Sequence, residues 1–124
     1  MDLTPIIPAD RQVIDSYGRE SFRVSGVAHE GAILVFPDAT EAWSAHGPDD
    51  VTAESLAPVI AHGEIEILLV GLGRRMAPVA ADLRARLRAA GIVMDVMDTG
   101  AACRTYNVLL AEGRRVAAAL LPAG

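Results

Sequence analysis

Short runs of alternating and β-branched residues, divided by glycines, fill the first third of the chain. Val13 to Tyr17, Ser21 to Val24, Ala28 to Glu30 and Ala32 to Phe36 predict four short strands, with Gly18, Gly26 and Gly31 at the turns between them. Phe22 and Val24 flank Arg23, so one face of that strand is buried and the other is wet. Pro37 ends the fourth strand, and Pro48 to Asp50 predicts a loop.

From Thr52 the period changes. Thr52 is placed to cap a helix through Ala61, with Glu54 in its first turn and Leu56, Val59 and Ile60 inward. Pro58 conflicts with a regular helix there, so the expectation is a short or broken one. Ile65 to Val70 is too apolar to keep a wet face and predicts a strand covered on both sides. Met76 to Ala90 predicts a helix with Pro78 in its first turn, a stripe of Val79, Leu83 and Leu87, and Gly91 as its left-handed end. Ile92 to Met97 predicts a strand, Ala101 to Ala111 a helix stopped by Gly113, and Arg115 to Leu121 a last strand. Strand, helix, strand, helix, strand in succession implies right-handed crossovers and a parallel core. The expected fold is therefore α/β, with a parallel C-terminal core and antiparallel strands from the N-terminus.

Composition narrows the class. The 124 residues are 52% apolar and 22% charged, which suits one domain and argues against disorder and against a two-domain enzyme. Residues 1–12 are expected as an extension and 13–124 as the single domain. A net charge of -5 excludes nucleic acid and anionic membrane surfaces as expected partners. The eleven basic residues are all arginine, which carries no functional reading. Met1 to Asp10 is not a signal peptide, and the apolar run Ile67 to Val70 is far below the roughly 20 residues that span a bilayer. Cys103 is the one cysteine, so no internal disulfide forms. The expected localisation is the cytoplasm.

The run Asp98-Thr99-Gly100-Ala101-Ala102-Cys103-Arg104-Thr105-Tyr106-Asn107-Val108-Leu109-Leu110-Ala111-Glu112-Gly113-Arg114, followed by Val116 to Pro122, is distinctive. It resembles the mitochondrial complex I assembly factor three family, small domains that also include an adipogenesis-associated protein. Gly71-Leu72-Gly73 is similar to that family's glycine pair, although Leu72 stands where a threonine is common, and Ser21 to Gly31 and Trp43 resemble its N-terminal sheet and tryptophan. The resemblance runs from about Ile14 onward. It implies a three-layer β/β/α fold with mixed sheets, a protein-binding role in respiratory-complex biogenesis, peripheral attachment to the inner membrane through a partner, and no catalytic residues to carry over. It also marks Ala102, Thr105, Asn107, Glu112 and Arg114 as family-motif positions, expected to act structurally.

Candidate chemistry falls into two loops. Gly71 and Gly73 follow a strand, where backbone N–H groups approach anions, and Thr99 and Gly100 precede the last helix in an equivalent place. Arg74, Arg75 and Arg104 complete a tentative small-anion or phosphorylated-metabolite site, or else are solvated or paired with Asp98 and Glu112. A dinucleotide fingerprint is not expected, because Met76 stands where its third glycine belongs. Cys103 lies near a helix start, where the dipole and Arg104 lower a thiol pKa, but free cysteines are usually inert core residues. Asn107 is costly on a helix unless its amide holds neighbouring backbone, with the loops after the strands as the example, and Glu112 and Arg114 flank Gly113 in a turn that they are placed to tie together. His29, His46 and His62 lack metal-ligand spacing, so neither a metal nor a cofactor is expected. The leading reading is a non-catalytic protein-binding domain. The alternative is the anion site with enzymatic activity, and a homodimer through the edge of the N-terminal sheet is a further expectation.

Overall fold

Residues 10–74 and 76–123 are described by the computed structural model. Three short strands, β1 (Ile14–Tyr17), β2 (Ser21–Val24) and β3 (Val27–Glu30), form an antiparallel sheet in the order β1-β2-β3. The other strands, β4 (Ile33–Val35), β5 (Thr40–Ala42), β6 (Ile67–Leu72), β7 (Val93–Met97) and β8 (Val116–Leu121), form a second sheet in the order β5-β4-β8-β6-β7. Within it β8, β6 and β7 run parallel, and β4 joins β8 antiparallel through Leu34 opposite Ala119. The fold is thus the α/β arrangement of two sheets, one antiparallel and one mixed, with helices.

Both central strands are apolar because both of their faces are covered. Leu68, Val70, Ala117, Ala119 and Leu121 point to a cluster that holds Trp43, Leu56, Val59, Leu83 and Leu87. Their neighbours Leu69, Val116, Ala118 and Leu120 point the other way, to Ile14, Phe22, Val24, Tyr106 and Leu110. Helices α1 (Ala57–His62) and α2 (Ala81–Ala89) therefore cover one face of the mixed sheet, while α3 (Thr99–Ala111) and the antiparallel sheet cover the other. The two crossovers place α2 and α3 on opposite faces, so the chain changes direction at β6 and β7.

Several boundaries differ from expectation. Strand β6 runs on through Gly71 and Leu72, so only Gly73 of the glycine pair is in the turn. Helix α2 starts at Ala81 instead of Met76: Pro78 disfavours a helical Ala77, and Ala80 at the N-cap is extended with φ -56 and ψ 131. Helix α1 starts at Ala57, with Pro58 in its first turn where a missing N–H costs nothing. Thr52 caps no part of it. Thr52 and Ser55 instead close a turn by exchanging two backbone-to-hydroxyl hydrogen bonds of 3.1 Å. Strand β5 was not expected, since Glu41 and Ala42 are exposed and show no alternation. Helix α3 begins at Thr99, two residues early, because Asp98 is its N-cap and accepts from the Ala101 N–H at 2.9 Å.

Candidate functional site

The carboxyl ends of β6 and β8 and the start of α3 meet at one rim. Thr99 is fully buried there. Its Oγ1 accepts from the Gly73 N–H at 2.8 Å and donates to the Leu121 carbonyl at 2.6 Å, while its own N–H donates to the Gly73 carbonyl at 2.8 Å. Gly71 lies below it, and a Cβ at that position would stand 2.9 Å from the Thr99 Cα. Gly73 has φ +83, which a side chain would strain. The structure therefore brings Gly71, Gly73, Thr99 and Gly100 together, but as an internal joint between two strand ends and a helix.

A cavity of about 370 Å³ lies beside that joint, lined by Gly73, Arg74, Asp98 and Gly100, but three of the joint's backbone donors are taken. The N–H groups of Gly73, Thr99 and Ala101 are all bonded within the chain, and the group at the helix N-cap is the acid Asp98. Gly71, Gly73 and Gly100 are buried, and the Tyr17 hydroxyl covers Gly100 so closely that a Cβ there would lie 2.6 Å from it. Arg74 and Arg104 are exposed and form no ion pair with Asp98 or Glu112. Arg75 lies outside the described residues.

Beyond the joint the surface opens into a groove of about 990 Å³. Leu72, Met76, Ala77, Leu121 and Pro122 give it an apolar floor, and Arg19, Arg74, Glu20 and Glu30 stand around it. Met76 is 62% exposed, which is unusual for a methionine beside a hydrophobic core. Met76 fits the start of a helical pattern in the sequence, which hides its place on the extended, exposed stretch before α2.

Helix α3 also anchors the antiparallel sheet. The Asn107 amide accepts from the Ile14 N–H at 3.0 Å and donates to the Ile14 carbonyl at 2.9 Å, and the Tyr106 hydroxyl donates to the Gln12 carbonyl at 2.9 Å. Asn107 thus pairs with β1 as a neighbouring strand would, and the backbone it holds is not that of the loops after the core strands. Ala102 is fully buried under α3, and Thr105 is half-buried. Gly113, with φ +79, ends α3, and Arg114 reaches across to Glu66 at 3.4 Å instead of tying its own turn to Glu112. Cys103 lies in the second turn and faces the core; burial pushes its thiol up to about 12, with Asp98 adding to the rise and Arg104 only partly opposing it. Burial also pushes the Tyr106 phenol up. Among the described residues no three or more His, Cys, Asp or Glu side chains are grouped to hold a metal ion.

The model of the family described as "Protein of unknown function (DUF498/DUF598)" matches residues 14–121, the span that contains both sheets and helices α1, α2 and α3. The chain belongs to that family. An uncharacterized protein of Rhodobacter capsulatus is 43% identical over 110 residues, covering 88% of this chain and 83% of that one. NADH dehydrogenase (ubiquinone) 1 alpha subcomplex assembly factor 3 of Danio rerio is 36% identical over 111 residues, covering 89% of this chain. The match spans 64% of that assembly factor's length. The solution structure of a Mth938-like domain protein from Bordetella pertussis superposes with a TM-score of 0.84 at 32% identity, covering 100% of this chain and 94% of that one. This DUF498/DUF598 domain has no helix, among its described residues, long and apolar enough to cross a membrane.

Proposed function

We propose that this DUF498/DUF598 domain acts by protein association, as an assembly-factor-like module for a respiratory NADH dehydrogenase. The groove beside Met76 carries the reading: it is broad and open, its floor is apolar, and charges of both signs edge it. Such a surface suits an extended polypeptide whose apolar side chains pack against Met76, Ala77 and Pro122 and whose charged flanks meet Arg19, Arg74, Glu20 and Glu30. The likeness to complex I assembly factors supports a subunit of that enzyme, or a second assembly protein, as the partner. Attachment at the inner membrane then runs through that partner, and the domain itself works from the cytoplasm.

The small-anion reading of Gly71, Gly73, Arg74, Thr99, Gly100 and Arg104 gains no comparable support, because the N–H groups of Gly73, Thr99 and Ala101 are already bonded within the chain. The test is co-purification. Tagged protein recovered from native membranes in mild detergent is expected to carry NADH dehydrogenase subunits or their assembly proteins, quantified by mass spectrometry against an unrelated tagged domain. Recovery no higher than that control overturns the proposal.

A further inference from the structure

At the opposite end of the mixed sheet, where β6 and β8 begin, lies a second cavity of about 570 Å³, within the usual range for a small-molecule site. Pro37, Ile65 and Leu110 supply apolar wall. Three guanidinium groups, those of Arg11, Arg114 and Arg115, line it against two acids, Asp38 and Glu64. Arg11 forms no ion pair among the described residues. Arg114 and Arg115 share the single carboxylate of Glu66 at 3.4 and 3.5 Å, so each keeps N–H donors for another acceptor. Asp38 is already engaged by His62, whose Nε2 stands 3.1 Å from its carboxylate.

His62 adds a second, independent feature. Its ring lies flat on Phe36, with centroids 4.9 Å apart and planes 6° from parallel. In the neutral ring the Asp38 carboxylate accepts from Nε2–H, which leaves Nδ1 as an acceptor. That Nδ1 is buried and has no partner. His62 therefore serves the cavity as a stacked wall and as the group that holds Asp38, not as an acceptor open to a ligand.

We propose that this cavity binds a small organic acid: an oxyanion held by Arg11, Arg114 and Arg115, and an apolar body against Pro37, Ile65 and Leu110. The forked guanidinium donors fit carboxylate and phosphate ester alike. The site is separate from the Met76 groove and stands or falls without it.

The test is a titration of the full chain, followed by backbone amide NMR shifts at constant ionic strength, with phenylacetate, mandelate, phenyl phosphate and neutral phenylacetamide as probes. The acids are expected to give saturable shifts centred on His62, Gly113, Arg114 and Arg115, and the neutral amide none. Mandelate, which adds only a hydroxyl to phenylacetate, is expected to bind about as tightly. The source of the oxyanion is assigned by whichever of phenyl phosphate and phenylacetate binds better. Replacing both Arg114→Ala and Arg115→Ala, which are exposed and leave the core untouched, is expected to weaken every acid at least about tenfold. The proposal is overturned if the acids give no saturable shifts at millimolar concentration, if the shifts scatter over distant arginines such as Arg19 and Arg86, or if the double variant binds unchanged.

Discussion

Thr99 shows how much one buried hydroxyl decides. It satisfies the Gly73 N–H and the Leu121 carbonyl together, so Thr99→Val leaves two buried polar groups unpaired at nearly constant volume. The expected loss is about 2–5 kcal/mol in urea denaturation, against about 1 kcal/mol for Thr99→Ser, which keeps the hydroxyl. Cys103 makes a chemical prediction at the same scale. With its thiol raised to about 12, it is expected to resist iodoacetamide at pH 8 in the folded protein and to react fully in urea. The hydrogen bond from His62 holds the Asp38 carboxyl below its ordinary 3.8. A depressed folded value means that this contribution is complete above pH 3.8 and is lost as the pH falls through the folded value. Asp38 is largely exposed, so Asp38→Asn is expected to cost no more than about 0.5 kcal/mol at neutral pH, and the difference from the parent shrinks in acid.

At the scale of elements, helix α3 ties the antiparallel sheet to the mixed one through two backbone bonds from Asn107 to Ile14 and one from Tyr106 to Gln12. Asn107→Leu is expected to speed amide exchange in β1 and β2 well before the protected amides of β6 and β8 respond, with a loss of about 1–3 kcal/mol overall. Uniform acceleration across both sheets would contradict that role. The alternation of Phe22, Arg23 and Val24 and the apolar runs of β6 and β8 were legible because sheet position acts on every second residue. The end of β6 was not. Gly71 looks like punctuation in a sequence, yet it stays in the strand because only a missing Cβ lets Thr99 cross above it. The extended stretch before α2 was hidden for a similar reason, since Val79 fits a helical stripe and in the fold packs on the core without one. The contact of Asn107 with Ile14 joins residues 93 apart, and no local pattern encodes it.

For the whole molecule, the two rims of the mixed sheet differ in what they offer. One is closed by Thr99 and bordered by the open Met76 groove, and the other holds the arginine-lined cavity beside His62. Among the described residues strand β3 presents a free edge with Val27 57% exposed, and a homodimer formed there would double the mass in light scattering and return to the monomer mass with Val27→Lys. The claim that matters most is that the Met76 groove receives a respiratory-enzyme partner. Site-specific photocrosslinking in native cells tests it, with the crosslinker at Met76 and, as a control on a distant exposed residue, at Ile60. The account predicts one dominant adduct from Met76, identified by mass spectrometry as an NADH dehydrogenase subunit or assembly protein, and none of it from Ile60. The same adducts from both positions, or none from Met76, would contradict it.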